Sequence, residues 1–580
     1  YSLPSKPYCF GYILFGLISY FLFLISYFLF LISYLVQLTI SRDYFHCYCL
    51  KSSGMTQNCT DQSNQKNSLE VLFKSPFSGI DTISTNDWWN RMPNPIIDVN
   101  VKRENVLAFG IYTISNNTLK LTAQLFPLYP YETREVRLEI YENEKWVEIQ
   151  KKKANDLGWA TTFRIENWDS SKNIKYRLLH GKKASFEGLI RKDPIDKNEI
   201  ILAAFSCNSN KDRGDRENYV KNINHIDPDL LFFAGDQSYD HQEHTAAWLK
   251  FGIQFRDTFR ERPCITIPDD HDIGQGNLWG ENGKIASSSA GNDGGYYYHH
   301  EYVKMVERAQ TNHLPDPYDK TPIEQGIGVY YTNLLLGGID FAIIEDRKFK
   351  SGPKGKIPQQ GPRPDHIRNP NYDPKSIDMD GLKLLGDRQL KFLSEWGGNN
   401  SVMKAVLSQT GFCGGAHLHG SEENRLHADL DSNGWPQRGR NKALKLIKGA
   451  NAIHIGGDQH IATVIHHGID DYEDGPWAFV VPAIVNNYYS RWWWPENEKI
   501  DNNPNDILPW TGRYKDGFDN KITMHAYANP DADSNGAGYG IIKFNKERNH
   551  VIFECWPRYE DVRSDNPKQF KGWPITVSLN

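Results

Sequence analysis

The sequence predicts an α/β unit of mixed sheets flanked by helices, preceded by an all-β sandwich. Two observations carry this. From about Pro76 to Pro194 the apolar residues alternate with polar ones, as where Val136, Leu138 and Ile140 interleave with Arg137, Glu139 and Tyr141. From about Glu199 the pattern changes to short continuous apolar runs separated by helical segments. Alternation marks a strand with one buried face, and a continuous run of strand length marks one buried on both.

The elements follow in chain order. Residues 7 to 41 contain no charged side chain. That run exceeds the roughly 20 residues that span a bilayer, and it is longer than a signal-peptide core of about 7–15. It repeats FLFLISY in tandem, and the first methionine is Met55. Two readings stand: a transmembrane anchor, or translated repeat DNA ahead of the true start. Lys6 and Arg42 flank the run one on each side, so charge does not orient it. Residues 42–75 are polar, rich in Ser, Asn and Gln, and read as a linker.

Residues 76–195 hold the alternating runs, around Phe109, Leu121, Val147, Phe163 and Tyr176, with turn signals between them. Regular short strands predict an immunoglobulin- or fibronectin-like module. Residues 196–495 hold the runs IILAAF, LLFF, CITI, FAII, KAVL and AIHI, with helical segments at 218–226, 245–259 and 387–396. Residues 496–580 begin in a Pro/Asn/Asp-rich loop and end in a hairpin, GYGIIKFN and NHVIFECW, expected to add strands to the core.

The net charge of −5 and the absence of a long Lys/Arg block give no nucleic-acid-binding signal. Cys9, Cys47, Cys49 and Cys59 crowd the first sixty residues, and Cys207, Cys264, Cys413 and Cys555 are scattered singly. No disulfide framework and no complete zinc pattern can be read from that spacing.

The chemistry lies where the apolar runs end. IILAAF leads into Ser206-Cys207-Asn208, LLFF into Gly235-Asp236 and Tyr239, and CITI into Asp269-Asp270-His271-Asp272 with Asn277 beyond. FAII leads into Glu345-Asp346-Arg347, KAVLSQTGF into Cys413, His417 and His419, and AIHI into Asp458-Gln459-His460. In α/β folds ligands bind at the carboxyl ends of the strands, so these side chains should converge. Singly, a strand-end Asp is a turn former and a buried Cys is packing. Together they are a metal-ligand set, because clustered buried carboxylates need cations.

FSCN, GDQSY, DDHDIGQGNLWG, EDRKFKSGP, LGDRQLKFL and GGDQH, in this order over about residues 200 to 495, resemble the PhoD-like alkaline phosphatases and phosphodiesterases of the calcineurin-like metallophosphoesterases. The resemblance implies a metallophosphoesterase sandwich with a bimetal site. Fe3+ would take Cys207, Asp236, Tyr239 and His460. Asp236 would bridge to a second ion, Ca2+ or another divalent metal, held also by Asn277 and Asp458. The spacing from His271 to Asn277 varies among relatives. His417 or His419 is a candidate added ligand, with hydrogen bonding near the site as the alternative.

Two such ions can activate a water for in-line attack on a phosphate ester. His271 is the candidate general acid or transition-state donor, with pairing to Asp270 or Asp272 as its alternative. Arg347 is the candidate phosphate clamp, with an ion pair to Asp346 or Glu345 as its alternative. The aromatic stretch NNYYSRWWWPEN, with Arg491 as a candidate substrate contact, reads either as an interdomain core or as a shelf beside the site. The expected function is hydrolysis of phosphate mono- or diesters outside the cytoplasm, at a membrane surface if the anchor is real. The alternatives are a hydrolase of non-phosphate esters and a non-catalytic cell-surface binding protein.

Overall fold

The computed structural model describes residues 77, 79–398, 403–416, 426–486, 488–492, 504–530 and 535–579. Residues 7–41, His417, His419, Trp493 and Trp494 lie outside them. Among the described residues no helix is long and apolar enough to cross a membrane.

Strands β1 (Leu107–Ser115), β2 (Thr118–Leu125) and β5 (Ala160–Ile165) form one antiparallel sheet. Strands β3 (Glu135–Glu142), β4 (Lys145–Lys153), β6 (Ile174–His180) and β7 (Ala184–Ile190) form a second, in the order β4-β3-β6-β7. The β1–β2 turn has Asn116 and Asn117 at positive φ, the hairpin geometry that Asn tolerates.

Two larger sheets follow. The first contains β8 (Glu199–Asn208), β9 (Leu230–Phe233) and β10 (Cys264–Thr266), all parallel. The second is built on β11 (Thr332–Leu336) and β12 (Ile339–Ile343); a short β13 (His366–Ile367) lies outside it. It continues through β14 (Met403–Thr410) and, past a short β15 (Ala428–Asp429), through β16 (Ala452–Gly457), β17 (Ala462–His467) and β18 (Trp477–Val480). A short β19 (Ala483–Val485) returns to pair with the end of β8.

The C-terminal strands divide between the two sheets. β20 (Gly512–Lys515) and β21 (Lys521–Ala528) extend the second sheet, whereas β22 (Gly538–Asn545), β23 (His550–Pro557) and β24 (Ile575–Ser578) join the first beside β8.

Period-two patterning explains the layering. On β8, Ile200, Leu202 and Ala204 face a core shared with Phe341, Ile343, Leu407 and Ile455 of the second sheet. Ala203 and Phe205 face the opposite way, against Trp248, Phe251 and Phe255 of the helix His244–Phe259. On the far side of the second sheet, Ala342 and Val406 meet the helices Gly386–Gly397 and Gln437–Gly449. The central strands of each large sheet are therefore covered on both faces, which is why runs such as IILAAF, LLFF and AIHI are continuously apolar or buried.

Hydrophobic contact runs across residue 195 without a break. Phe109 of β1 packs edge-on to Trp248 at 5.6 Å. It lies so close to the helix that a Cβ on Gly252 would sit 1.8 Å from its ring. The start of that helix is held from far along the chain. The Asp81 carboxylate accepts from the Thr245 amide at 3.1 Å and its hydroxyl at 2.9 Å, while its Oδ1 is buried without a hydrogen-bond partner.

Burial pushes the Asp81 pKa from 3.8 up to about 7, with Glu243 adding to the shift. The folded state thus holds this proton more tightly than the unfolded chain. The resulting stability is full below the unfolded value and is lost as pH rises through the folded one, up to about 4 kcal/mol. Thermal unfolding of Asp81→Asn should therefore lose less stability than the parent between about pH 5 and pH 8. Parallel pH curves for the two proteins would refute the assignment.

Candidate metal centre

The ends of β8, β9 and β16 meet at one point. Among the described residues four groups of side chains could each hold a cation, and Asp236 belongs to three of them. One group is Cys207, Asp236 and His460; another is Asp236, Asp269, Asp270 and Asp458; a third is Asp236, Asp270 and His271. Asp236 is thus the residue common to three adjoining groups.

The backbone there is strained in a consistent way. Cys207, Asp236, Asp458 and His460 have φ of +59°, +61°, +67° and +52°. Left-handed geometry is uncommon for residues other than glycine and gathers at functional sites. Two glycines make it sterically feasible. A Cβ on Gly235 (φ +118°) would lie 2.5 Å from Asp269 Cβ, and one on Gly457 would lie 2.2 Å from Ser206 Oγ. Asp272 ties the loop bearing Asp236 to the loop bearing Asp269. Its carboxylate accepts from the amides of Asp236 (2.7 Å), Asp269 (2.9 Å) and Ser238 (2.9 Å), and from Gln310 Nε2 (3.0 Å).

Tyr239 Oη donates to Asp236 Oδ2 at 2.8 Å and lies 3.2 Å from His460 Nε2. Cys207 Sγ is 3.7 Å from the same Asp236 oxygen. His460 Nδ1 meets the Tyr488 carbonyl at 2.8 Å. A carbonyl only accepts, so Nδ1 carries the proton and Nε2 presents its lone pair to the cluster. Asn486 Nδ2 donates to Tyr239 Oη at 3.1 Å and to His460 Nε2 at 3.0 Å.

The electrostatics suit cations. Asp236 Oδ1 is buried with no hydrogen-bond partner. Burial, reinforced by Asp269, Asp272 and Asp458, pushes the Asp236 carboxyl well above its usual range. Burial and the charges of Asp236 and Asp458 raise the Cys207 thiol, and burial beside Asp236 and Cys207 raises the Tyr239 phenol. The thiol, phenol and imidazole suit a transition metal, and the carboxylates suit a hard divalent ion. The residues present fit both.

Asp458 holds the other side, with Oδ2 accepting from Thr410 Oγ1 at 2.7 Å. Asn277 is tied elsewhere: its Nδ2 donates to Asp365 Oδ2 at 2.7 Å, beside the group of Asp365, His366 and Asp429. That fixes its amide nitrogen on a carboxylate outside the groups that share Asp236. Arg491 is half-buried on the segment after Tyr488.

His271 stacks on Tyr239, with ring centroids 4.2 Å apart. Its ring partner is His241, whose Nε2 lies 2.6 Å from His271 Nδ1, and is neither Asp270 nor Asp272. Burial, with His241 beside it, holds the His271 pKa well below 6.5.

Arg347 differs from the expected phosphate clamp. Its Nε and Nη2 donate to the two oxygens of Asp269 at 2.6 and 3.1 Å, and Nη1 donates to Asp431 Oδ1 at 2.6 Å and to the Asp431 carbonyl at 3.2 Å. Nη2 also lies 3.1 Å from Asp458 Oδ1. These contacts engage the whole guanidinium fork. Its ion-pair partners are therefore Asp269, Asp431 and Asp458, not Asp346 or Glu345. Sequence reasoning passed over His241, Asp431 and Asn486. His241 had a local signal, since it sits two residues after Tyr239.

Replacing Arg347 by Lys keeps the charge and loses the fork. It should lower stability by about 1–3 kcal/mol, the scale of lost hydrogen bonds to charged groups, and lower metal content with it. Thermal unfolding and elemental mass spectrometry check this. Unchanged metal content with weakened phosphate binding alone would restore the clamp.

No family model matches the chain, and no curated protein sequence does. Solved structures do match it. One is the structure of PhoD, with a TM-score of 0.58 and 13% identity, covering 83% of this chain and 92% of that one. Another is the purple acid phosphatase PPD1 from yellow lupin (Lupinus luteus) seeds, with a TM-score of 0.51 and 12% identity, covering 81% and 74%. At such identities the likeness concerns the fold, and the paired sheets of this chain are folded like those of PhoD and of this purple acid phosphatase.

Proposed function

We propose that the chain hydrolyses phosphate mono- or diesters with metal ions held around Asp236. The observation that carries this is the buried, unpartnered Asp236 Oδ1 between two ligand sets. The fold likeness to PhoD and a purple acid phosphatase supports it. We assign Fe3+ to Cys207, Asp236, Tyr239 and His460, and Ca2+ or another divalent ion to Asp236, Asp270, Asp458 and the Asn277 carbonyl. Residues 76–195 are read as an immunoglobulin- or fibronectin-like module. The site of action is read as outside the cytoplasm, at a membrane surface if the uncharged run at 7–41 is an anchor.

Bound ions would polarise the phosphoryl oxygens and acidify a water for attack in line with the leaving group. The chain's own groups do the rest. Tyr488 and Asn486 orient the His460 imidazole. Arg347 holds Asp458 and Asp269 in place. His271, kept neutral by burial, is the hydrogen-bond donor to a phosphoryl oxygen, and its pairing with His241 orients its ring.

Hydrolysis of bis-p-nitrophenyl phosphate and p-nitrophenyl phosphate, with iron and calcium supplied, tests the proposal. Asp236→Asn should reduce turnover by more than about 100-fold, with loss of bound metal. Turnover of neither ester by folded, metal-loaded protein would overturn the reading.

A further inference from the structure

The stretch Asn486 to Trp492 holds three aromatic side chains with three different fates. Trp492 is fully buried, with its Nε1 donating to the Trp510 carbonyl at 2.9 Å and its ring edge-on to Tyr514 at 5.3 Å. Tyr489 is half-buried, and its Oη accepts from the Asn486 amide at 3.1 Å. Tyr488 is 60% exposed.

Yet the backbone of Tyr488 is held at both ends of the residue. Its carbonyl accepts from His460 Nδ1 at 2.8 Å, and its amide donates to Asn486 Oδ1 at 2.8 Å. The other end of that same Asn486 side chain donates to Tyr239 Oη and His460 Nε2. The Tyr488 Cα is therefore locked to the metal side of the centre while its ring faces solvent. A tyrosine ring has few rotatable bonds, so little entropy is lost when something lies against it.

We infer that Tyr488 is the platform on which the alcohol portion of the substrate stacks, and that the site selects phosphate esters of planar aromatic groups, aryl or nucleobase. This rests on the phosphoesterase reading. The ring would recognise the leaving group through its face, while the ligand set handles the phosphoryl group common to all esters. Tyr488 reaches the centre through backbone contacts with His460 and Asn486, so its ring sets affinity for the alcohol portion and its removal leaves the metals in place.

The test uses the metal-loaded full chain and two non-hydrolysable probes, phenylphosphonate and methylphosphonate, with affinities measured by calorimetry. The parent should bind phenylphosphonate about tenfold more tightly than methylphosphonate, the scale of one stacked ring. Tyr488→Phe should keep that preference, and Tyr488→Ala should abolish it with metal content unchanged. Equal affinities in the parent, no binding of either probe, or a preference that survives Tyr488→Ala would each overturn the platform. Turnover of p-nitrophenyl phosphate in the same samples separates the two readings. Ring preference without turnover sinks hydrolysis and keeps the platform, and turnover without ring preference does the reverse.

Discussion

A carboxylate oxygen without a partner, buried where two sheets meet, constrains the rest of this molecule. Asp236 cannot stay ionised there alone, because a desolvated charge costs several kcal/mol even after relaxation, by roughly the scale of buried ions in proteins. Arg347 offsets part of the excess, but its fork is shared among Asp269, Asp431 and Asp458. Asp270 adds a further carboxylate within the same group. Cations would restore the balance, and the thiol, phenol and imidazole on one side suit a softer ion than the carboxylates do.

Geometry follows from that demand. Bringing Cys207, Asp236, Asp458 and His460 to one point requires each to leave its strand in a left-handed turn. Ordinary residues beside them would collide, so Gly235 and Gly457 stand where Asp269 and Ser206 come close. Asp272 then ties the Asp236 loop to the Asp269 loop through backbone amides. Burial lifts its carboxyl to about 6, with those hydrogen bonds acting against the rise. Strain at these four residues is thus borne by contacts that Gly235, Gly457 and Asp272 make.

Much of this was readable before any coordinates. The continuous apolar runs became the strands of doubly covered sheets, and the helices Glu217–Ile226, His244–Phe259 and Gly386–Gly397 begin one residue earlier than their patterns indicate. Cys207, Asp236, Tyr239, Asp458 and His460 sat at strand ends, where ligands gather. What stayed hidden depends on long-range approach. Arg347 finds Asp431 across 84 residues, and Asn486 finds Tyr239 across 247. Neither pairing leaves a local spacing to detect. The aromatic stretch posed a choice between core and shelf, and its residues divide: Trp492 is core and Tyr488 is exposed. Composition alone does not reveal such a division, because burial differs from one residue to the next.

The β-stranded segment bears on the centre through packing. The helix His244–Phe259 begins three residues after His241, which pairs with His271, and five after Tyr239, which reaches Asp236. One face of that helix meets Phe109 at Gly252, and its first turn is capped by Asp81. Glu243, just before it, accepts from the Thr82 amide at 3.1 Å and from Asn94 Nδ2 at 3.0 Å. Because interiors are close-packed, a shift of the helix would be carried into the short loop that bears Tyr239 and His241. Phe109 of β1 and the segment from Asp81 to Asn94 therefore act as a brace: they hold the helix that follows the loop bearing Tyr239 and His241.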